Sequence, residues 1–253
     1  PSLYFLSNNV RCFNQDINNH IWVGTYAGLI IIDEQLSSAS LQTHNRNNSS
    51  SLRHNSIYAV FRDRENNMWV GSYYGGLSFS NPATANFSFY QVGDTDDGSS
   101  LKGFSFGMMT EDNHHSLYIA TENGGLNILN RQTDKFRHIG PGKEECHFRS
   151  AKSVWHDKEH QCLYVGSFLK GLFCYKNGKF TAVGQQKLKT PTQRIVLQLI
   201  PWDNRLIVVT QGGLFLLNLQ TQELSDLLSE KEKQQIGLDG IVRYVCLDHQ
   251  QRL

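Results

Sequence analysis

Arg64-Glu-Asn-Asn-Met-Trp-Val-Gly-Ser-Tyr-Tyr-Gly-Gly-Leu77 decides the fold, because its kernel is written five times in this chain. Trp69-Val-Gly-Ser72 with Gly76-Leu77 returns as Trp22-Val-Gly-Thr25 with Gly28-Leu29 and as Tyr118-Ile-Ala-Thr121 with Gly125-Leu126. It returns again as Tyr164-Val-Gly-Ser167 with Gly171-Leu172 and as Ile207-Val-Val-Thr210 with Gly213-Leu214. The first positions are 47, 49, 46 and 43 residues apart, a spacing that fits propeller blades and exceeds leucine-rich or ankyrin units. Function must then be sought in whatever departs from the repeat.

Around the phrase the apolar pattern is short and strand-like, rich in β-branched and aromatic residues and bounded by Gly, Asn and Asp. In the second unit Ile57 to Arg62, Met68 to Ser72, Gly76 to Ser80 and Phe87 to Gln91 read as strands, with turns at Asp63 to Asn67 and Tyr73 to Gly75. Four antiparallel strands per unit make a blade. An aspartate opens the first turn of each unit, at Asp16, Asp63, Asp112, Asp157, Asp203 and Asp248. A reaction needs one or two such carboxylates, so one per blade reads as an Asx-type turn. The glycine before each leucine suits a positive φ, and the opening Trp or Tyr reads as packing between blades.

Units begin near Val10, Ile57, Phe106, Ser153 and Val196. A sixth opening strand is expected from Ile241 to Leu247, running into a turn at Asp248, five residues before the last residue, Leu253. The expected fold class is therefore all-β: one propeller domain over residues 1–253, with five complete blades and the first strand of a sixth. Such a ring is unfinished and leaves edge strands unpaired, so the chain reads as a fragment of a longer protein.

With 14 Phe, 10 Tyr and 4 Trp the chain can fill a large core, and its net charge of +1 gives no electrostatic case for nucleic acid. No apolar run is long enough for a membrane span and no signal-peptide pattern opens the sequence. Five cysteines without a C-x-x-C pair argue against a disulfide framework and against zinc. Cys162 and Cys174 could still meet across a hairpin if their parity matches.

The pattern V-x-x-x-x-x-D, W-V-G-T, G-G-L, with the linker Asn48-Ser-Ser-Ser-Leu52-Arg-His-Asn55-Ser, resembles the two-component-regulator propeller repeats. Those repeats build periplasmic sensor regions of Bacteroidetes hybrid two-component systems. The resemblance covers the whole chain and drifts at Ala120 and Val209, which stand where the phrase has glycine. It implies a seven-bladed ring, a membrane span, histidine kinase and response regulator outside these residues, and a poly- or oligosaccharide signal.

In an up-and-down blade the turn between strands two and three and the link to the next blade share one face. On that first face fall Tyr26, Tyr73, Tyr74, Glu122, Asn123, Phe168, Lys170 and Gln211. The long links 45–56, 92–105, 140–150, 183–194 and 228–240 join them there. Exposed rings beside amide and charged groups suit a sugar, stacking on its C–H face and bonding its hydroxyls. The same rings could instead pack beneath the loops or against another subunit.

Catalytic and metal patterns fail on context. His156-Asp-Lys-Glu-His160 matches H-x-x-E-H but sits at a hairpin turn, not on the helix that motif needs. Asp94-Thr-Asp-Asp-Gly98 misplaces the glycine of a calcium loop and lacks the distal glutamate. His114 and His115 fall in an exposed turn. Glu111, Glu122, Glu144 and Glu145 offer carboxylates for a glycosidase, but no pair among them stands out. The reading that follows is a sensor module without catalytic residues, metal or cofactor, taking an oligosaccharide or polysaccharide fragment. No nucleic acid is expected, the membrane enters only through downstream segments, and a homodimer is a further expectation. A protein-interaction or dimerisation scaffold and a glycan-processing enzyme are the rival readings.

Overall fold

The computed structural model describes residues 9–45, 50–81, 87–93, 97–141, 146–235, 241–248 and 250. The strands fall into five four-stranded antiparallel sheets, each paired in chain order. Blade one holds β1 (Val10–Gln15), β2 (Ile21–Thr25), β3 (Leu29–Ile32) and β4 (Ala39–Gln42), and blade two β5 (Ile57–Arg62), β6 (Met68–Ser72), β7 (Leu77–Ser80) and β8 (Phe87–Tyr90). Blade three holds β9 (Phe106–Glu111), β10 (Ser116–Thr121), β11 (Gly125–Asn130) and β12 (Lys135–Ile139). Blade four holds β13 (Ala151–Asp157), β14 (Cys162–Ser167), β15 (Leu172–Lys176) and β16 (Lys179–Val183), and blade five β17 (Val196–Trp202), β18 (Arg205–Thr210), β19 (Gly213–Asn218) and β20 (Leu224–Asp226). The opening strands are innermost: β1 lies against β5, β5 against β9, β9 against β13 and β13 against β17.

The core lies between blades, because each middle strand is buried on both faces and its alternate residues serve different neighbours. Met68 and Val70 of β6 pack with Trp22 and Leu29 of blade one. Trp69, between them, packs with Phe106, Leu117 and Phe136 of blade three. Leu29, Leu77, Leu126 and Leu172, the leucines that follow the repeated glycine, are fully buried. Each stabilises the fold by about 2 kcal/mol on transfer grounds.

Every position of the repeated phrase has a structural task. The closing Thr or Ser donates its hydroxyl to the carbonyl of the glycine ahead: Thr25 to Gly28, Ser72 to Gly76, Thr121 to Gly125, Ser167 to Gly171, Thr210 to Gly213. Gly76 has φ of 83° and a Cβ there would sit 2.5 Å from the Tyr90 carbonyl oxygen, so this position accepts glycine alone. The glycine inside the phrase makes room for the first residue of the next blade. A Cβ on Gly24 would lie 2.7 Å from Ile57 Cγ2, one on Gly71 2.5 Å from Phe106 Cβ, one on Gly166 2.5 Å from Val196 Cγ1. Blade three is the exception that explains itself: Ala120 replaces the glycine where the next blade opens on the small Ala151, both fully buried in one cluster.

The aspartates behave as turn locks in four blades. One carboxylate oxygen of Asp16, Asp63, Asp112 and Asp157 accepts two backbone N–H groups of its own turn. In the first three the other oxygen does something the sequence did not announce, holding the aromatic of the phrase, Trp22 at 2.9 Å, Trp69 at 2.8 Å and Tyr118 at 3.0 Å, whereas in Asp157 it meets His160 at 2.7 Å. Asp248 accepts a turn bond from Gln250. The expectation of one turn for all six fails at Asp203, whose carboxylate takes no turn N–H. Trp202 pairs with Arg205, leaving a two-residue connection too tight for an Asx turn, and Asp203 itself adopts a φ of 51°.

One open point is decided and two further expectations change. Cys162 and Cys174 share the face of the β14–β15 hairpin on which Tyr164 pairs with Cys174, and they form a disulfide. Blade four opens at Ala151, two residues earlier than expected. The sixth opening strand is not a strand in the structure, since no backbone ladder reaches 241–248 among the described residues. The segment is instead held by the buried amide of Gln198, which accepts from Val245 N at 2.8 Å and donates to its carbonyl at 3.1 Å, while Tyr244 meets Phe13 of β1. The link after β20 also carries a short helix, α1 (Glu230–Gln235), capped reciprocally by Ser229 and Glu232.

Candidate functional site

Each of the five innermost strands slips register one residue after its start, between Val10 and Cys12, Ile57 and Ala59, Ala151 and Ser153, Val196 and Gln198, and opposite Ala120 in blade three. A β-bulge re-aims the extra side chain out of the ladder. Here the bulged positions lie at the first-face ends of the innermost strands, and in blades one, two and four they are Arg11, Tyr58 and Lys152. These three were not among the sequence candidates. The signal that finds them is positional: the residue after the first residue of each opening strand escapes the alternation.

Arg11 is the hinge of an aromatic belt across blades one to three. Its guanidinium carbon lies 4.1 Å from the ring centre of Tyr58 and 5.1 Å from that of Tyr26, and its Nη1 donates to Ser56 Oγ at 2.6 Å. Tyr58 stacks on Tyr73, Tyr73 meets Tyr74 edge-on at 4.3 Å, and Tyr74 leans on Phe104. Tyr26 and Tyr74 are each about three-fifths exposed, at 62% and 61%, and Phe104 is also open to solvent. A hydrogen bond to Tyr74, burial and the neighbouring rings raise the Tyr73 phenol above its ordinary range, so it stays neutral.

The turns that carry these rings are fixed by backbone bonds. Tyr73 N donates to Ser56 O at 2.8 Å, Tyr74 N to Phe104 O at 2.7 Å, and Glu122 N to Ser105 O at 2.9 Å. Tyr74 and Asn123 hold left-handed φ values of 57° and 58° at the turn apices. In blades three and four, Lys152 Nζ makes an ion pair with Glu122 and lies 5.6 Å from the Phe168 ring centre. Burial lowers the Lys152 ammonium below the ordinary lysine value.

The structure thus brings Tyr26, Tyr73 and Tyr74 into one belt and Glu122 and Phe168 into a second group around Lys152. Asn123 is exposed, and its backbone N–H donates to Ser150 Oγ at 3.0 Å. Lys170 is exposed at the tip of its turn, with its carbonyl taken by Gln185, and Gln211 is half-buried with its N–H on Ile195 O. Parts of the flanking links, 46–49, 94–96, 142–145 and 236–240, lie outside the described residues, and with them Glu144, Glu145, most of Asp94–Gly98 and Leu253.

The remaining candidates face the other way. Glu111 is buried between Arg64 at 2.8 Å and Arg131 at 3.0 Å, and Arg131 also reaches Asp63 at 2.6 Å, so this carboxylate is a tie between blades two and three. Burial, outweighing the two guanidiniums, raises the Glu111 carboxyl. His114 and His115 are exposed. His156 stacks on Tyr118 and is kept neutral by burial, whereas His160 turns to Asp157 at 2.7 Å. A cleft of about 320 Å³ opens beside them, lined by Trp155, Lys158, Asp203 and Gln220. Among the described residues no group of three or more metal-ligating side chains converges, and no helix is long and apolar enough to cross a membrane.

Residues 4–27 and 51–74 match the family model of the two component regulator propeller. No curated protein matches the chain. Among solved structures, the extracellular domain assigned to the hybrid two component system BT3049 of B. thetaiotaomicron superposes with a TM-score of 0.74 at 20% identity, covering 98% of this chain and 32% of that one. The extracellular domain assigned to BT4673 of the same organism gives 0.67 at 22% identity, over 85% of this chain and 28% of its own length. PorZ, a surface component of the type-IX secretion system of Porphyromonas gingivalis, gives 0.63 at 17% identity, over 88% and 34%. At these identities the likeness establishes the propeller fold, and the chain spans about a third of each of those structures.

Proposed function

We propose that this chain, which carries two-component-regulator propeller repeats, is part of the periplasmic sensor region of a hybrid two-component signalling protein. In this reading it binds a glycan or oligosaccharide on the first face and passes the event to a histidine kinase outside these residues. The observation that carries the reading is the belt of Tyr26, Tyr58, Tyr73, Tyr74 and Phe104 around Arg11, standing open on a rigid ring. Rings of this kind stack on the C–H face of a sugar, and their hydroxyls bond its polar rim. The extracellular propellers of hybrid two component systems to which the chain is similar support the same role.

Signalling then requires the ligand to bind one arrangement of domains or subunits better than another, since only differential affinity shifts such an equilibrium. The test is binding of the intact protein to a glycan library, followed by kinase autophosphorylation with each hit. A ligand that binds and changes kinase activity is the expected result. Absence of any glycan ligand, with a stable protein partner recovered instead, overturns it in favour of a scaffold. Release of product from an incubated polysaccharide overturns the non-catalytic part.

A further inference from the structure

The bulged positions at the mouth need not be charged for the ring to form: Tyr58 occupies one and Leu197 another, and Gly107 lies in the bulged stretch of blade three. Charge there is a departure from the repeat, and its sign is uneven. Among the described residues, the bulges and the turns between second and third strands hold Arg11, Lys152 and Lys170 against the single carboxylate of Glu122. That carboxylate is already taken by Lys152. Among the described residues Arg11 meets a hydroxyl, Ser56 Oγ, and two ring faces, none of which neutralises a guanidinium. A guanidinium has five N–H donors in a fixed fork that matches a carboxylate or sulfate, and one of its nitrogens is engaged here.

Resting on the sensor reading above, we infer that the saccharide recognised at this mouth is anionic, with its acidic group held by Arg11 while Tyr26 and Tyr74 stack on the sugar rings. The half-buried setting between two rings strengthens a charge-assisted bond relative to one in open water. The stacking surface beside it gives a saccharide an advantage that an inorganic anion lacks.

The test is calorimetric titration of the intact protein with four probes: a galacturonate tetrasaccharide, its carboxyl-reduced counterpart, a sulfated galactan oligosaccharide and inorganic sulfate. At least one acidic oligosaccharide is expected to bind about 10–100-fold more tightly than the reduced one, as a charge-assisted bond of this class implies. Binding should weaken with added salt, and the two acidic probes separate a carboxylate from a sulfate. Arg11→Gln should abolish that preference, whereas Ser56→Ala, which removes the blade tie but keeps the charge, should retain it. Equal affinity for the acidic and reduced sugars, or an acidic preference that survives Arg11→Gln, overturns the inference and leaves the sensor reading standing. Inorganic sulfate binding as tightly as the oligosaccharides overturns the saccharide part. No binding by any probe, together with a protein that binds no glycan in the library, overturns both.

Discussion

Gly166→Ala places a methyl group where blade five begins. The new Cβ would stand 2.5 Å from Val196 Cγ1 and 2.7 Å from Val196 Cβ, and would also strike Ser153 Oγ. Carbon atoms need about 3.5–4.0 Å, so β17 must retreat by roughly 1 Å from blade four. Overpacking of this kind costs about 1–3 kcal/mol. The hydrogen bond from Ser153 Oγ to the Val196 carbonyl, 3.0 Å long, is disturbed by the same shift and adds about 1 kcal/mol. Val196→Ala alone opens a cavity and costs about 1.5–3 kcal/mol. Blade three shows the remedy, because Ala120 and Ala151 already occupy the equivalent pair of positions. The double variant Gly166→Ala, Val196→Ala removes the Cγ1 contact while those with Cβ and Ser153 Oγ remain, so it should be less destabilised than the sum of the singles by about 0.5–1.5 kcal/mol, within the range of direct contacts. Urea unfolding of the four proteins followed by circular dichroism measures this, with m-values compared to confirm a common transition. Additive costs would refute the idea that the phrase glycine is matched to the next blade's first residue.

Asp63→Asn exchanges Oδ2, the acceptor shared by Trp69 and Arg131, for an NH2 donor while the turn N–H groups keep Oδ1, leaving a buried guanidinium without one of its two closest carboxylates. It should cost about 3–5 kcal/mol, against about 1–2 kcal/mol for Asp16→Asn, which strands no arginine; melting temperatures of the two variants decide it. At Asp16 and Asp112 burial acts to raise the carboxyl, but hydrogen bonds from the indole of Trp22 and from turn N–H groups outweigh it, and both lie below their ordinary value of 3.8. The folded state then binds fewer protons than the unfolded one, so their stabilisation is present above about pH 4 and lost as pH falls further. Unfolding midpoints measured from about pH 5 to pH 2 should fall less steeply in Asp112→Asn. The Cys162–Cys174 bridge spans 12 residues, a loop whose closure is worth about 2.5–3 kcal/mol. Reduction, or the double change Cys162→Ala and Cys174→Ala, should lower the thermal midpoint; an unchanged midpoint would show that the bridge contributes nothing.

Half of the candidate site was legible. Tyr26, Tyr73 and Tyr74 follow the repeated phrase directly, so counting strands was enough to place them on one face. Arg11, Tyr58 and Lys152 were hidden because a β-bulge breaks the period of two that exposes a side chain in a sequence. Within the alternation of β1, Arg11 reads as an ordinary solvent-facing residue. Only the paired register shows that it is displaced into the mouth between Tyr26 and Tyr58. The second carboxylate oxygen of Asp16, Asp63 and Asp112 escaped for a related reason. Asp63 and Trp69 are six residues apart on different strands, and the hairpin that joins them exists only once folded.

By itself the sequence determined the blade. Its period of 43 to 49 residues, its alternating strands, and its glycines and turn aspartates are local requirements of backbone geometry, and such requirements are written next to the residues they constrain. Tertiary structure decided what lies between blades and at their mouth. It set the fit of Gly166 to Val196 and of Ala120 to Ala151, the Arg131 tie, the capture of 241–248 by Gln198, and the half-buried cation of Arg11 among rings from two blades. Those contacts join residues tens of positions apart, and packing at such distances depends on volumes and registers that no single repeat contains.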